Sequence, residues 1–103
     1  AGSFFKNPVI SAAHLEKLRQ THPELKGFPQ PDGSIKLSAA QLIDMLGWRG
    51  HRTGQVGVHK KQALVLVNYG GATGEEVLAL AKQIQADVRQ HYQVDLEMEV
   101  IVI

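Results

Sequence analysis

Ala63-Leu64-Val65-Leu66-Val67-Asn68-Tyr69-Gly70-Gly71-Ala72-Thr73-Gly74-Glu75-Glu76-Val77 changes its periodicity midway, and that change decides the fold class. Residues 63–67 are an unbroken apolar run, the pattern of a central strand buried on both faces. Asn68 to Ala72 is made of turn residues. Thr73 and Glu76 then have the spacing of a capping box, in which each side chain bonds the other's backbone amide. Beyond it Val77, Leu80, Ala81, Ile84 and Val88 recur at helical spacing and mark the core stripe of the longest helix. A strand, a turn and a capped amphipathic helix in succession point to an α+β domain.

Upstream, Val56–His59 and Ala63–Asn68 read as a hairpin with Lys60-Lys61 at its tip. Trp48–Gly57 is polar and Gly-rich, hence a loop with an extended end. Ser38 and Gln41 repeat the capping-box pattern and open a short helix that turns Leu42, Ile43 and Leu46 inward and closes at Gly47. Ile35-Lys36-Leu37 is a short extended piece. Gly27–Gly33, with two prolines and an Asp-Gly pair, reads as a constrained turn. Ser11 caps a helix from Ala12 to about Thr21, with Leu15 and Leu18 on one face and Pro23 beyond its end.

Downstream, Val94, Leu96, Met98, Val100 and Val102 alternate onto one face of a last strand over 94–103. The other face carries Asp95, Glu97 and Glu99, then turns apolar at Ile101 and Ile103. A strand wet on one side stays polar on that side. The switch therefore implies that the second half is covered on both faces, with Glu99 at the wet–dry boundary, partly desolvated. The expected architecture is a small mixed or antiparallel sheet with about three helices.

At 103 residues the chain makes one domain, residues 1–103. Such a chain buries roughly 60–70% of its unfolded surface, enough for a core with little surplus. The 44% apolar and 20% charged content belongs to a globular protein. A net charge of +1 gives no whole-domain attraction to nucleic acid or an anionic membrane, so neither is an expected partner. There is no Cys, which excludes disulfides and thiolate zinc sites. His14, His22, His51, His59 and His91 show no metal spacing, and no metal is expected; four read as surface residues, while His59, at a strand end, reads as packed or functional. No apolar run approaches the ~20 residues of a membrane span. The chain lacks an initiator Met and stops on Val100-Ile101-Val102-Ile103, which reads as a cut through a larger protein. An unpaired apolar edge there would also invite a second chain to add on.

The chemistry-bearing candidates begin with Ala1-Gly2-Ser3-Phe4-Phe5-Lys6-Asn7-Pro8, which presents a polar group from an apolar footing. Ser3 has no Gly-x-Ser-x-Gly elbow and no nearby His, which argues against a nucleophile and leaves a hydrogen-bond donor or weak acid. Gly70–Gly74 comes nearest to a phosphate loop but lacks its spacing and following Lys, so a helix-start turn explains it. Arg49, His51, Arg52, His59, Lys60 and Lys61 read equally as a phosphate patch or as a solvated loop and tip. The patch reading supports a competing function, a non-catalytic nucleotide- or nucleic-acid-binding module with salt-sensitive binding. Trp48 and Tyr69 read as packing anchors.

Several segments together resemble one family. They are Gly2-Ser3-Phe4-Phe5-Lys6-Asn7-Pro8; Pro29-Gln30 with Asp32-Gly33; Lys36-Leu37-Ser38-Ala39-Ala40 with Leu42-Ile43; Val58-His59 with Gln62-Ala63-Leu64-Val65-Leu66-Val67-Asn68; and Leu96-Glu97-Met98-Glu99-Val100. In one consistent order over nearly the whole chain, they are similar to the C-terminal domain of the UDP-N-acetylenolpyruvoylglucosamine reductases, the MurB flavoenzymes of peptidoglycan precursor synthesis. The resemblance implies a cytoplasmic FAD- and NADPH-dependent enzyme serving the cell wall, and with it cell shape and division. Its N-terminal flavin-binding part lies outside this chain, so the chain alone is expected to be inactive, with its last strand, about 94–103, touching that part. The implied substrate is UDP-N-acetylglucosamine enolpyruvate. By resemblance Ser3 is the proton donor, Glu99 sits beside the substrate carboxylate, and Asn7 and Gln62 contact substrate. Arg49 stands where some relatives place a Lys near the diphosphate. Phe28 departs, standing where some relatives have a Tyr whose hydroxyl reaches the diphosphate.

Overall fold

Thr73 does what its spacing requires. In a computed structural model of the chain, which describes residues 4–62 and 65–99, the Glu76 N–H donates to Thr73 Oγ1 at 3.2 Å and the Thr73 N–H donates to Glu76 Oε1 at 3.3 Å. This box opens helix α3, Gly74–Tyr92. Its Leu80, Ala81, Ile84, Val88 and Tyr92 are buried, while Val77 is half-buried. Gln93 ends it in the left-handed region, φ 54°, with its N–H on Arg89 O.

Two other helices precede it. Helix α1 spans Ala12–Arg19, capped by Ser11 Oγ, which accepts from the His14 N–H at 3.0 Å. It stops two residues short of the expected Thr21, because Gln20 and Thr21 bond back in tighter turns and Pro23 disfavours helical geometry at His22. Helix α2, Ala39–Met45, begins at Ser38 as expected and is followed by Gly47 at φ +81°. Its capping box is only half made. The Gln41 amide clasps the Lys26 peptide instead, accepting its N–H at 3.1 Å and donating to its carbonyl at 2.6 Å. One side chain thereby satisfies two backbone groups rather than one.

Both sheets are antiparallel and three-stranded. The first comprises β1, Val9–Ile10, β2, Gly27–Pro29, and β3, Ile35–Leu37, in the order β1-β3-β2. Here the expected Gly27–Gly33 turn is corrected: Gly27–Pro29 is a strand, and the turn narrows to residues 30–34. Pro29 is tolerated because β2 is an edge strand of the described sheet. Asp32 holds the turn, accepting from the Ser34 hydroxyl at 2.6 Å and the Ser34 N–H at 3.0 Å, and these bonds lower its pKa.

The second sheet comprises β4, Arg52–Thr53, β5, Val56–Val58, and β6, Leu66–Asn68, in the order β4-β5-β6. The hairpin across Lys60-Lys61 is present as β5 against β6. The stretch Trp48–Gly57, expected as a loop with an extended end, holds β4 as well. In the described sheet β5 is the central strand and fully buried, while β6, from the apolar run before Asn68, lies at its edge with Leu66 and Val67 half-buried. One buried face of β5 is Gly57, which has no side chain to signal burial, and the Tyr69 ring covers it. Ala63 and Leu64 lie outside the described residues.

Helix α3 contacts β5, β6 and α2, and one core joins the elements: Leu15, Leu18, Leu37, Leu42, Ile43, Val56, Val58 and the α3 stripe. The last segment keeps its alternation without becoming a ladder. Val94 and Leu96 are buried and Met98 half-buried, but residues 94–99 form only one bridge, Phe5 to Met98. The rest of the expected strand, residues 100–103, lies outside the described residues.

Candidate functional site

Phe5 is 1% exposed and stacks edge-on with Phe4 at 5.5 Å between ring centroids. With that anchor buried, the backbone on either side pairs with the far end of the chain. The Lys6 N–H donates to Glu97 O at 2.9 Å, and the Glu99 N–H donates to Phe4 O at 2.8 Å. The polar residues of both segments therefore emerge along one seam. Beside it runs an open groove of about 480 Å³ whose lining includes Lys6, Asn7, His14, Asp95 and Glu97.

Ser3 lies outside the described residues. Its neighbour Phe4 is the residue bonded to Glu99. Glu99 is exposed, which corrects the partial desolvation expected of it within this chain. Asn7 lies two residues past Phe5, and its Oδ1 accepts the Ala39 N–H at 3.0 Å, at the first turn of α2. That contact spends the carbonyl and leaves Nδ2 without a partner among the described residues.

Arg49 and Gln62 form a second group. Arg49 follows α2, whose seven residues span about 10 Å, so Asn7 and Arg49 stand at its opposite ends. Arg49 Nε lies 3.0 Å from Asp44 Oδ1, with both side chains nearly half exposed, and such a pair contributes little. The Gly50 N–H donates to Val58 O at 3.2 Å, bringing this loop against the turn that carries Gln62. Gln62 is exposed and accepts the Val65 N–H through its own carbonyl.

The basic patch is largely committed elsewhere. Arg52 lies over the Tyr69 ring at 3.9 Å and donates to Gly54 O at 2.9 Å. His51 pairs with Thr53 at 2.8 Å, and His59 Nδ1 accepts the Lys61 N–H at 3.0 Å, a structural use. Lys60 and Lys61 alone of this set have no side-chain partner among the described residues. Trp48 is an anchor, its Nε1–H donating to Asp87 at 2.8 Å. His14 and His22, expected at the surface, are half-buried. His14 Nε2–H donates to Tyr92 O at 2.9 Å, and His22 meets the Tyr92 ring edge-on at 4.9 Å. Burial first, then the Asp87 and Glu24 charges, raise the Tyr92 pKa.

The start of α3 offers no cradle to a flavin or dinucleotide phosphate. The N-terminus of α3 is filled by Thr73 and Glu76, with Glu75 alongside, and acidic groups there repel an anion. No group of three or more metal-ligating side chains occurs among the described residues, and no described helix is long and apolar enough to cross a membrane. The groove and its Lys6–Glu97 pair, 3.9 Å apart, leave no trace in the sequence pattern, because no local signal joins positions 91 residues apart.

The fold and the seam define an α+β domain in which residues 4–6 meet residues 97–99 beside a polar groove. Residues 1–103 match the sequence model of the UDP-N-acetylenolpyruvoylglucosamine reductase C-terminal domain, and the chain belongs to that family. The enzyme of that name from Pseudomonas aeruginosa is 61% identical over 99 residues, 96% of this chain and 29% of the relative. Those from Burkholderia orbicola and Pseudomonas fluorescens are 61% and 54% identical over the same share of this chain, covering 28% and 29% of their own lengths. The chain thus spans under a third of the length of these relatives.

Proposed function

We propose that the chain is the substrate-binding domain of a cytoplasmic UDP-N-acetylmuramate dehydrogenase, the NADPH- and FAD-dependent reductase of an enolpyruvyl ether in peptidoglycan precursor synthesis. The observation that carries this reading is the seam: Phe4, next to Ser3, is bonded to Glu99 across the whole length of the chain. A proton donor and a carboxylate that must share one small ligand need such an arrangement.

On this reading FAD and NADPH belong to the part of the protein outside this chain, where reduced flavin supplies the hydride. Hydride addition to the vinyl carbon of an enol ether pushes charge into the attached carboxylate. The resulting enolate-like species is a strong base, so a held Ser3 hydroxyl suffices to protonate it. Glu99 in its neutral form would donate a hydrogen bond to the developing dianion. Glu99 is exposed here, so the desolvation that favours a neutral carboxyl has to come from substrate and the flavin-binding part closing over it. Asn7, with its carbonyl tied to α2, offers its NH₂ to an acceptor on the substrate. Gln62 and Arg49, beyond the other end of α2, would serve the nucleotide end. Arg49, whose Nε lies against Asp44, would reach it with its planar guanidinium.

The test uses the intact protein. Ser3→Ala and Glu99→Gln should each slow flavin reoxidation by the enolpyruvyl UDP-sugar by about 10²-fold or more, while NADPH still reduces the flavin at the normal rate. Near-normal reoxidation in both variants refutes the assignment.

A further inference from the structure

We propose that Gln85 is a positioning residue for Glu99, a role that rests on the function proposed above. The segment that carries Glu99 is poorly held by backbone. Between residues 94 and 99 the described backbone bonds to the N-terminal segment are those at Glu97 O and the Glu99 N–H. Leu96 is buried, yet none of the described strands pairs with its carbonyl. Gln85, half-buried on α3, fills that vacancy: its Nε2 donates to Leu96 O at 2.7 Å. A buried carbonyl without a donor is costly, so this bond fixes the height of the segment against α3. It acts one residue before the Glu97 carbonyl that receives the Lys6 N–H.

The chain of contacts is short and rigid. Helix α3 is locked into the core by Ile84 and Val88, which flank Gln85 and are fully buried. The Gln85 amide sets Leu96, and Leu96 sets the register in which Met98 bridges Phe5 and Glu99 meets Phe4. The other tie from α3 to this segment, Arg89 to Asp95 at 3.3 Å, joins side chains that are each 75% exposed, and it has little power to position anything. Displacing a reacting group by about 1 Å costs on the order of 100-fold in rate, so the loss of one such bond is readable.

The experiment compares Gln85→Met, Gln85→Lys and Arg89→Ala in the intact protein. Gln85→Met keeps length and removes the donor; Gln85→Lys restores one. In Gln85→Met, amide hydrogen exchange at Lys6 and Glu99 should quicken together, and flavin reoxidation by the enolpyruvyl UDP-sugar should fall about tenfold or more. Reduction of the flavin by NADPH should stay unchanged. Gln85→Lys should recover part of both losses, and Arg89→Ala should show neither. Combined with Glu99→Gln, Gln85→Met should add no further loss. Unchanged exchange at Glu99, or a full additive loss in the double variant, overturns the positioning role. If Glu99→Gln alone is harmless, the functional reading itself fails, whereas an impaired Glu99→Gln beside an unimpaired Gln85→Met removes Gln85 alone.

Discussion

Single residues carry much of what patterning missed, and Gly57 is the clearest case. A Cβ there would sit 2.6 Å from the His51 carbonyl oxygen, 3.1 Å from Tyr69 Cε2 and 3.2 Å from Arg52 Cα. Two of the three neighbours are backbone and cannot swing aside. Gly57→Ala should therefore destabilise the chain by about 1–3 kcal/mol, read as a lower thermal midpoint with loss of the Arg52–Tyr69 stack. An unchanged midpoint would mean that β4 and β5 separate freely. Such a glycine is silent in a sequence, since it looks like one more loop residue in a Gly-rich stretch. Among the candidate site residues, Asn7 and Gln62 are singled out only through resemblance to relatives, because nothing in their local pattern distinguishes them from other exposed polar residues, whereas Glu99 also stands where the alternation of the last segment turns apolar. Arg52 misleads in the opposite direction: its charge suggests a ligand, and an aromatic ring already occupies it.

At the scale of elements, the features that were legible are the ones fixed within four residues. Caps are local chemistry, so Ser11, Ser38 and Thr73 begin helices where their spacing says they should. The Thr73 box is the fullest, with both reciprocal bonds made and Glu75 and Glu76 in the first turn, favourable to the helix dipole. Thr73→Ala should cost about 1 kcal/mol, measurable by chemical denaturation. The loss should not depend on the turn ahead of it, which Asn68 holds separately by accepting the Gly70 and Ala72 amides. A loss near zero would show that α3 is held by its core stripe alone. Apart from the β5–β6 hairpin, what local rules could not supply was pairing. Gly27–Pro29 is a strand only because Ile35–Leu37 lies beside it, and two prolines in seven residues say nothing of that neighbour.

At the scale of the whole domain, Phe4–Lys6 pairs with residues 97–99, and this is the relation no window of sequence contains. Alternation over 94–99 showed which face is apolar but not what pairs with it, because the partner, Phe4–Lys6, lies more than 90 residues away. Loop closure over that length is entropically unfavourable, so the contacts that make it must repay the cost jointly. Phe5 is the largest of them: fully buried, bridged to Met98, and flanked by the two hydrogen bonds of the seam. Phe5→Leu keeps the core apolar with a small volume loss and should cost about 1–1.5 kcal/mol. If the ends close as one unit, the loss will not be spread evenly. Exchange at the Lys6 and Glu99 amides should accelerate together in the intact protein, while α3 keeps its protection. Acceleration at one amide without the other would mean that the ends dock independently, and a Ser3–Glu99 pair would then lose the shared frame that makes its joint action physically reasonable.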